Sequence, residues 1–108
     1  MINYVDRLYL TEKTKKELST IKMKLFTGAG MAGVYFILLS DNKEDVFDIV
    51  PAAMFKEKRF RKRPHTVIGI AESRRAVLKL VKEIVEEHYS VTGSYFELRK
   101  DIEERIIG

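Results

Sequence analysis

The period of hydrophobic and polar positions changes several times along the chain, and each change marks a predicted element. From Thr11, a suitable helix N-cap, Thr14, Leu18, Ile21 and Leu25 fall at i, i+4, i+7 and i+11 and form one narrow stripe. That spacing predicts a helix through T-E-K-T-K-K-E-L-S-T-I-K-M-K-L-F, closed by Gly28, where a helix C-terminus favours positive φ. The next run, V-Y-F-I-L-L, is dense in β-branched and aromatic residues and apolar on both faces, as in a buried strand. S-D-N-K-E-D reads as a polar turn and V-F-D-I-V as a second strand ended by Pro51, so the two strands predict an antiparallel hairpin.

A-A-M-F-K-E-K suits a short helix, R-K-R-P-H a loop, and T-V-I-G-I-A a third strand. The clearest pattern runs from Ser73 to His88. There Val77, Leu80, Val81, Ile84 and Val85 face one way, and Lys79, Lys82, Glu83 and Glu86 the other, as in a helix lying on a sheet. A last helix opens with a capping box, Ser94 to Glu97, and aligns Leu98, Ile102 and Ile106. An extra extended piece is expected around Leu8 to Leu10. The order α-β-β-(short α)-β-α-α predicts an α+β, two-layer fold: a three-stranded, largely antiparallel sheet covered by helices.

Composition narrows the reading at a few points. A chain of 108 residues predicts a single domain over 1–108, able to bury about two-thirds of its unfolded surface without metal or disulfide. The absence of cysteine excludes disulfides, Cys-ligated zinc, iron–sulfur clusters and thiol catalysis, and fits a reducing compartment. The longest apolar run, Val34 to Leu39, falls far short of the ~20 residues of a membrane span. M-I-N-Y-V-D lacks the basic-then-apolar order of a secretory signal. The expectation is a cytoplasmic protein with no membrane partner.

Charge is concentrated. The net charge is +4, yet Lys56, Lys58, Arg59, Arg61, Lys62 and Arg63 stand against Glu57 alone, +5 in eight residues, so the other hundred sum to −1. Such a cluster neutralises phosphates, and the interleaved Phe60 could stack on an unpaired base. The alternative is a solvated loop, residues 56–65, with Phe60 tucked into the core. Arg74 and Arg75 begin the long helix and Glu86 and Glu87 end it, both against the helix dipole. Two guanidinium groups at a helix start suit an anion, although Glu72 beside them offsets the field. The alternative expectation is that Glu83, Glu86 and Glu87 return beside the basic loop and neutralise it.

Gly28, Gly30 and Gly33 fit G-x-G-x-x-G, the fingerprint of a pyrophosphate-cradling loop. The surroundings oppose a dinucleotide site. Pro51 stands where an acid should meet the ribose, V-Y-F-I-L-L makes a poor helix, and the motif follows a predicted helix and precedes a strand. A glycine connection is expected, with no cofactor. The two histidines, His65 in the basic loop and His88 at the helix end, have no partner at metal-ligand spacing, and the i, i+4 pair Glu83 and Glu87 reads as a solvated face. No G-x-S-x-G or Walker motif occurs. Neither metal ligands nor catalytic residues are expected.

The α-β-β-β-α order, with S-R-R-A opening the long helix, is similar to the double-stranded-RNA-binding domain over residues 11 to 88, a resemblance that implies phosphate contacts for Arg74 and Arg75. The chain departs from it in the acidic turn S-D-N-K-E-D and in a helix without a run of alanines. Over its whole length it resembles a family of small uncharacterised bacterial proteins. That resemblance rests on a basic helix, the V-Y-F-I-L-L strand, V-I-G-I-A-x-S before an apolar helix, and Thr-Gly before the last one. It implies a shared fold and a cytoplasmic setting, and no activity or site. The reading is therefore a non-catalytic cytoplasmic binding module. Its candidate residues, Lys56, Lys58, Arg59, Arg61, Lys62, Arg63, Arg74 and Arg75, would meet an anionic partner such as nucleic acid. A protein–protein or self-association module, forming a homo-oligomer, is the alternative, and an unrecognised enzyme the third.

Overall fold

Central strands that are apolar on both faces demand cover on both faces, and this governs the architecture. The structure, a computed structural model, describes residues 2–42, 45–93 and 98–107. In order the elements are β1 (Ile2–Leu10), α1 (Glu12–Lys16), α2 (Leu18–Thr27), β2 (Tyr35–Leu39) and β3 (Phe47–Pro51). A 3-10 turn (Ala52–Lys56), α3 (Lys58–Lys62), β4 (His65–Ala71), α4 (Arg74–Thr92) and α5 (Leu98–Ile107) follow. The class is α+β, with one four-stranded mixed sheet in the order β1-β4-β2-β3. β4 runs parallel to β1 and antiparallel to β2, which is antiparallel to β3.

The expected hairpin of β2 and β3 is present, but strand count, pairing and layering all need correction. Helices cover both faces. On one, Val5, Ile37, Ile68 and Ala71 meet Val77, Leu80 and Ile84 of α4 and Leu98 and Ile102 of α5. On the other, Phe36, Leu38, Val67 and Ile70 meet Ile21 and Leu25 of α2 and Ala52 and Phe55 of the 3-10 turn. The result is three layers. The unanticipated strand is β1, expected only near Leu8 to Leu10. Its register shifts between Tyr4, opposite Val67, and Tyr9, opposite Gly69: five steps on β1 against two on β4. Asp6 and Arg7 bulge out to solvent while Val5 stays in the core. Gly69 permits the rejoining, because an added Cβ there would lie 3.0 Å from Ile37 Cδ1 and 3.1 Å from Tyr9 O.

The first helix starts where expected. Thr11 and Thr14 form a reciprocal capping box, and Thr14 Oγ1 also donates to Ile70 O at 2.9 Å, pinning the helix start to the end of β4. Instead of one helix there are two, separated at Glu17 (φ −101°, ψ 9°), and Gly28 ends α2 at φ 75°. Ile21 and Leu25 are buried, as their stripe required. α4 runs beyond His88 to Thr92, where Gly93 at φ 70° donates its N–H to Tyr89 O at 2.7 Å. Glu86 and Glu87 therefore lie more than a turn from the helix end and escape the dipole penalty. His88 is buried instead of capping, its Nδ1 3.4 Å from Asp101 of α5. On α5, Arg99 Nη1 donates to Ser40 O (2.8 Å) and Asp45 O (2.9 Å), tying the β2–β3 turn to this helix.

The expected capping box at Ser94 to Glu97 and the side chain of Ile106 lie outside the described residues. Among those described, no helix is long and apolar enough to cross a membrane. Ile84 is 1% exposed at the centre of the α4 contact. Ile84→Ala should cost about 2–5 kcal/mol through lost burial and a residual cavity. Denaturant melting should show a lowered midpoint, and an unchanged one would contradict this orientation of α4.

Candidate functional site

The basic segment is not a loop. Lysine and arginine are good helix formers, and five residues, Lys58 to Lys62, make α3. Its position is set by Phe60, whose ring centroid lies 5.0 Å from that of Phe55 and 4.5 Å from that of His65, with Phe55 edge-on to Phe36 at 5.3 Å. His65 Nε2 is 2.5 Å from Phe60 O, and because a carbonyl only accepts, that nitrogen carries the proton and donates. Phe60 thus packs against the α2-side core and is no platform for a base.

The cations of this segment then diverge. Arg63 turns toward Asp41, Nη2 to carboxylate at 2.9 Å. Arg61 turns back, and its Nη1 donates to Phe55 O (2.9 Å) and Lys56 O (3.3 Å), closing the 3-10 turn. The same guanidinium lies on Gly28, where an added Cβ would fall 2.1 Å from Nη1, and a Cβ on Gly30 would fall 1.9 Å from Lys56 Cε. Arg61 therefore sits at the C-terminus of α2, where the helix dipole favours a cation. The glycines have a reason unrelated to pyrophosphate: they are the surface against which two basic side chains lie. The loop leads from a helix end into β2, as the order of predicted elements implied. Lys58, Arg59 and Lys62 are exposed.

Arg61 and Lys62 come together with residues not anticipated from the pattern. With Lys22 and Phe26 of α2 and Ile2 and Tyr4 of β1 they line a groove of about 700 Å³. Lys22 and Phe26 are one turn apart on one helix face, and Lys22 Nζ stands 4.4 Å from the centroid of the Tyr4 ring. Burial pushes the Tyr4 phenol pKa up, so its hydroxyl remains a donor at neutral pH. Phe26 is 84% exposed and Met23, three residues before it, 62%. Among the described residues, three cations and no acid line the groove. A signal for it existed: Phe26 is an aromatic residue that falls off the buried stripe of its own helix.

Arg74 and Arg75 do not join this surface. α3 leads into the first residue of β4 and these arginines follow its last, roughly 20 Å along the strand. They also begin the helix on the opposite face. The hollow beside them, about 580 Å³, is lined by Glu12, Glu72 and Glu83 as well as Arg75 and Lys79, and so has no excess of positive charge. Ser73 Oγ caps the helix by accepting from Ala76 N at 3.0 Å. The expectation that the acids of α4 return beside the basic segment also needs correction, since the two lie on opposite faces. Glu86 meets Lys82 at 3.8 Å and Glu87 meets Arg7 at 4.0 Å. Among the described residues no group of three His, Asp or Glu is placed to hold a metal ion.

Gly28→Ala should destabilise by about 1–2 kcal/mol through its positive φ alone, and it should also dislodge Arg61. Gly30→Ala meets only the mobile end of Lys56, so thermal melting should show a smaller loss. The hydroxyl of Thr11 donates to Glu72, and this bond chiefly holds the Glu72 carboxyl below its usual pKa. A depressed pKa stabilises the fold above the unfolded value and is lost as pH falls through the folded one. Thr11→Val should therefore lower stability near neutral pH and flatten its decline on the acid side, measured by melts from pH 7 to 3. No family model, no curated protein and no solved structure matches the chain, so its function is to be read from the groove itself.

Proposed function

We propose that the protein is a non-catalytic cytoplasmic binding module whose basic groove takes an anionic partner, with nucleic acid the polyanion that suits it best. One observation carries this reading. Arg61 and Lys62 of the basic segment converge with Lys22 of another helix around a groove that no carboxylate lines among the described residues. Chain segments far apart in sequence thus place like charges together, and their summed positive potential attracts an anion. Lys56, Lys58 and Arg59 extend the positive field along the same segment. Arg74 and Arg75, at the far end of β4, take no part.

Contact with about three phosphates implies a log–log salt slope of roughly −2.1 to −2.7, so a fourfold rise in salt costs roughly 20- to 40-fold in affinity. Lys22→Gln with Lys62→Gln should flatten the slope by about one to two units, while Arg74→Gln with Arg75→Gln should leave it unchanged. Fluorescence anisotropy with a labelled oligonucleotide measures both. Absence of binding even at ~20 mM salt, where screening reaches only ~20 Å, would remove the proposal. A second reading is supported by Met23 and Phe26, an exposed apolar pair on α2. It is self-association through that face, and light scattering across a dilution series tests it.

A further inference from the structure

We infer that the groove holds single-stranded nucleic acid, with one unpaired base stacked on Phe26 and its phosphates on Lys22, Arg61 and Lys62. The inference rests on the anionic-partner reading above and narrows it to one kind of polyanion.

The decisive feature is a phenyl ring left 84% exposed among three cations. Charge alone gives such a ring no role. A polyphosphate or a sulfated chain offers it no apolar surface. Duplex DNA or RNA offers phosphates, but the faces of its bases are already covered by their neighbours. Among these polyanions, an unpaired nucleotide presents an anion and a bare aromatic face within one residue, and stacking of this kind accepts any base. Tyr4 is not a second platform, because Lys22 already covers its ring. Its hydroxyl is a donor for a phosphate or a base edge. Arg61 is held in place before any ligand arrives. Its Nη1 is committed to the carbonyls of Phe55 and Lys56, which leaves the Nε and Nη2 protons in a fixed direction for a phosphate. With a single exposed ring, the groove specifies one stacked base and binding without strong sequence preference.

The chain has no tryptophan, so Phe26→Trp creates an optical probe that reports from the groove alone. At low salt, a 20-nucleotide oligo-dT should quench this fluorescence saturably, and a blunt-ended duplex or inorganic polyphosphate should leave it nearly unchanged. Phe26→Ala, at an exposed position, should keep the wild-type melting midpoint and bind the single strand about five- to a hundredfold more weakly. Its weaker affinity for duplex should be unaltered. Equal quenching by duplex and single strand overturns the inference, as does wild-type affinity of Phe26→Ala for oligo-dT. A blue shift with phosphatidylserine vesicles and no response to oligo-dT assigns the ring to a membrane surface instead, and overturns it too. If salt-dependent binding persists while Phe26→Ala changes nothing, stacking falls and the anionic-partner reading stands. If no polyanion binds at all, both fall.

Discussion

β4 is enclosed on every side. β1 and β2 take its two hydrogen-bonding edges, α4 and α5 cover one face, and α2 with the 3-10 turn covers the other. A strand so placed cannot shift or twist independently of its neighbours, and the elements joined to its ends inherit fixed positions. The basic helix enters at His65 and the paired arginines leave after Ala71. The separation of the two positive clusters is therefore set by the length of one buried strand. It is also why their charges cannot serve a single ligand of modest size.

The basic helix illustrates how a charged segment is held in place. Five residues are too few to be helical unaided, and their like charges repel. Packing settles the first problem, since Phe60 locks between Phe55 and His65. Divergence settles the second. Arg63 is drawn to Asp41 on one side, and Arg61 to two backbone carbonyls and the end of α2 on the other. What remains concentrated is Arg61 with Lys62, facing α2 and β1, where Lys22 joins them as a third cation.

Much of this was legible in the residues. Thr11, the stripe of Ile21 and Leu25, Gly28, the hairpin of β2 and β3 and the inward face of α4 all follow from local patterns, and local patterns survive folding. The layering was legible too: a V-Y-F-I-L-L strand apolar on both faces is incompatible with two layers. β1 was hidden because Asp6 and Arg7 interrupt its alternation, and the bulge that accommodates them is a property of the pairing with β4. The groove was hidden for a different reason. Lys22 and Phe26 meet Arg61 and Lys62 across 34 intervening residues, and only the sheet brings those helices side by side.

The bulge in β1 also determines what the molecule's open edge is able to recruit. A straight row of unsatisfied backbone groups at a sheet margin invites another chain to continue the sheet, the first step toward fibrils. Here the outer margin is interrupted in mid-strand, with an aspartate and an arginine turned outward at the break. The opposite margin, β3, is short, exposes Asp48 and ends in a proline. Neither side offers a template long enough for sheet growth. The protein is thereby able to leave bare aromatic and aliphatic groups on α2 without the attendant hazard of polymerisation.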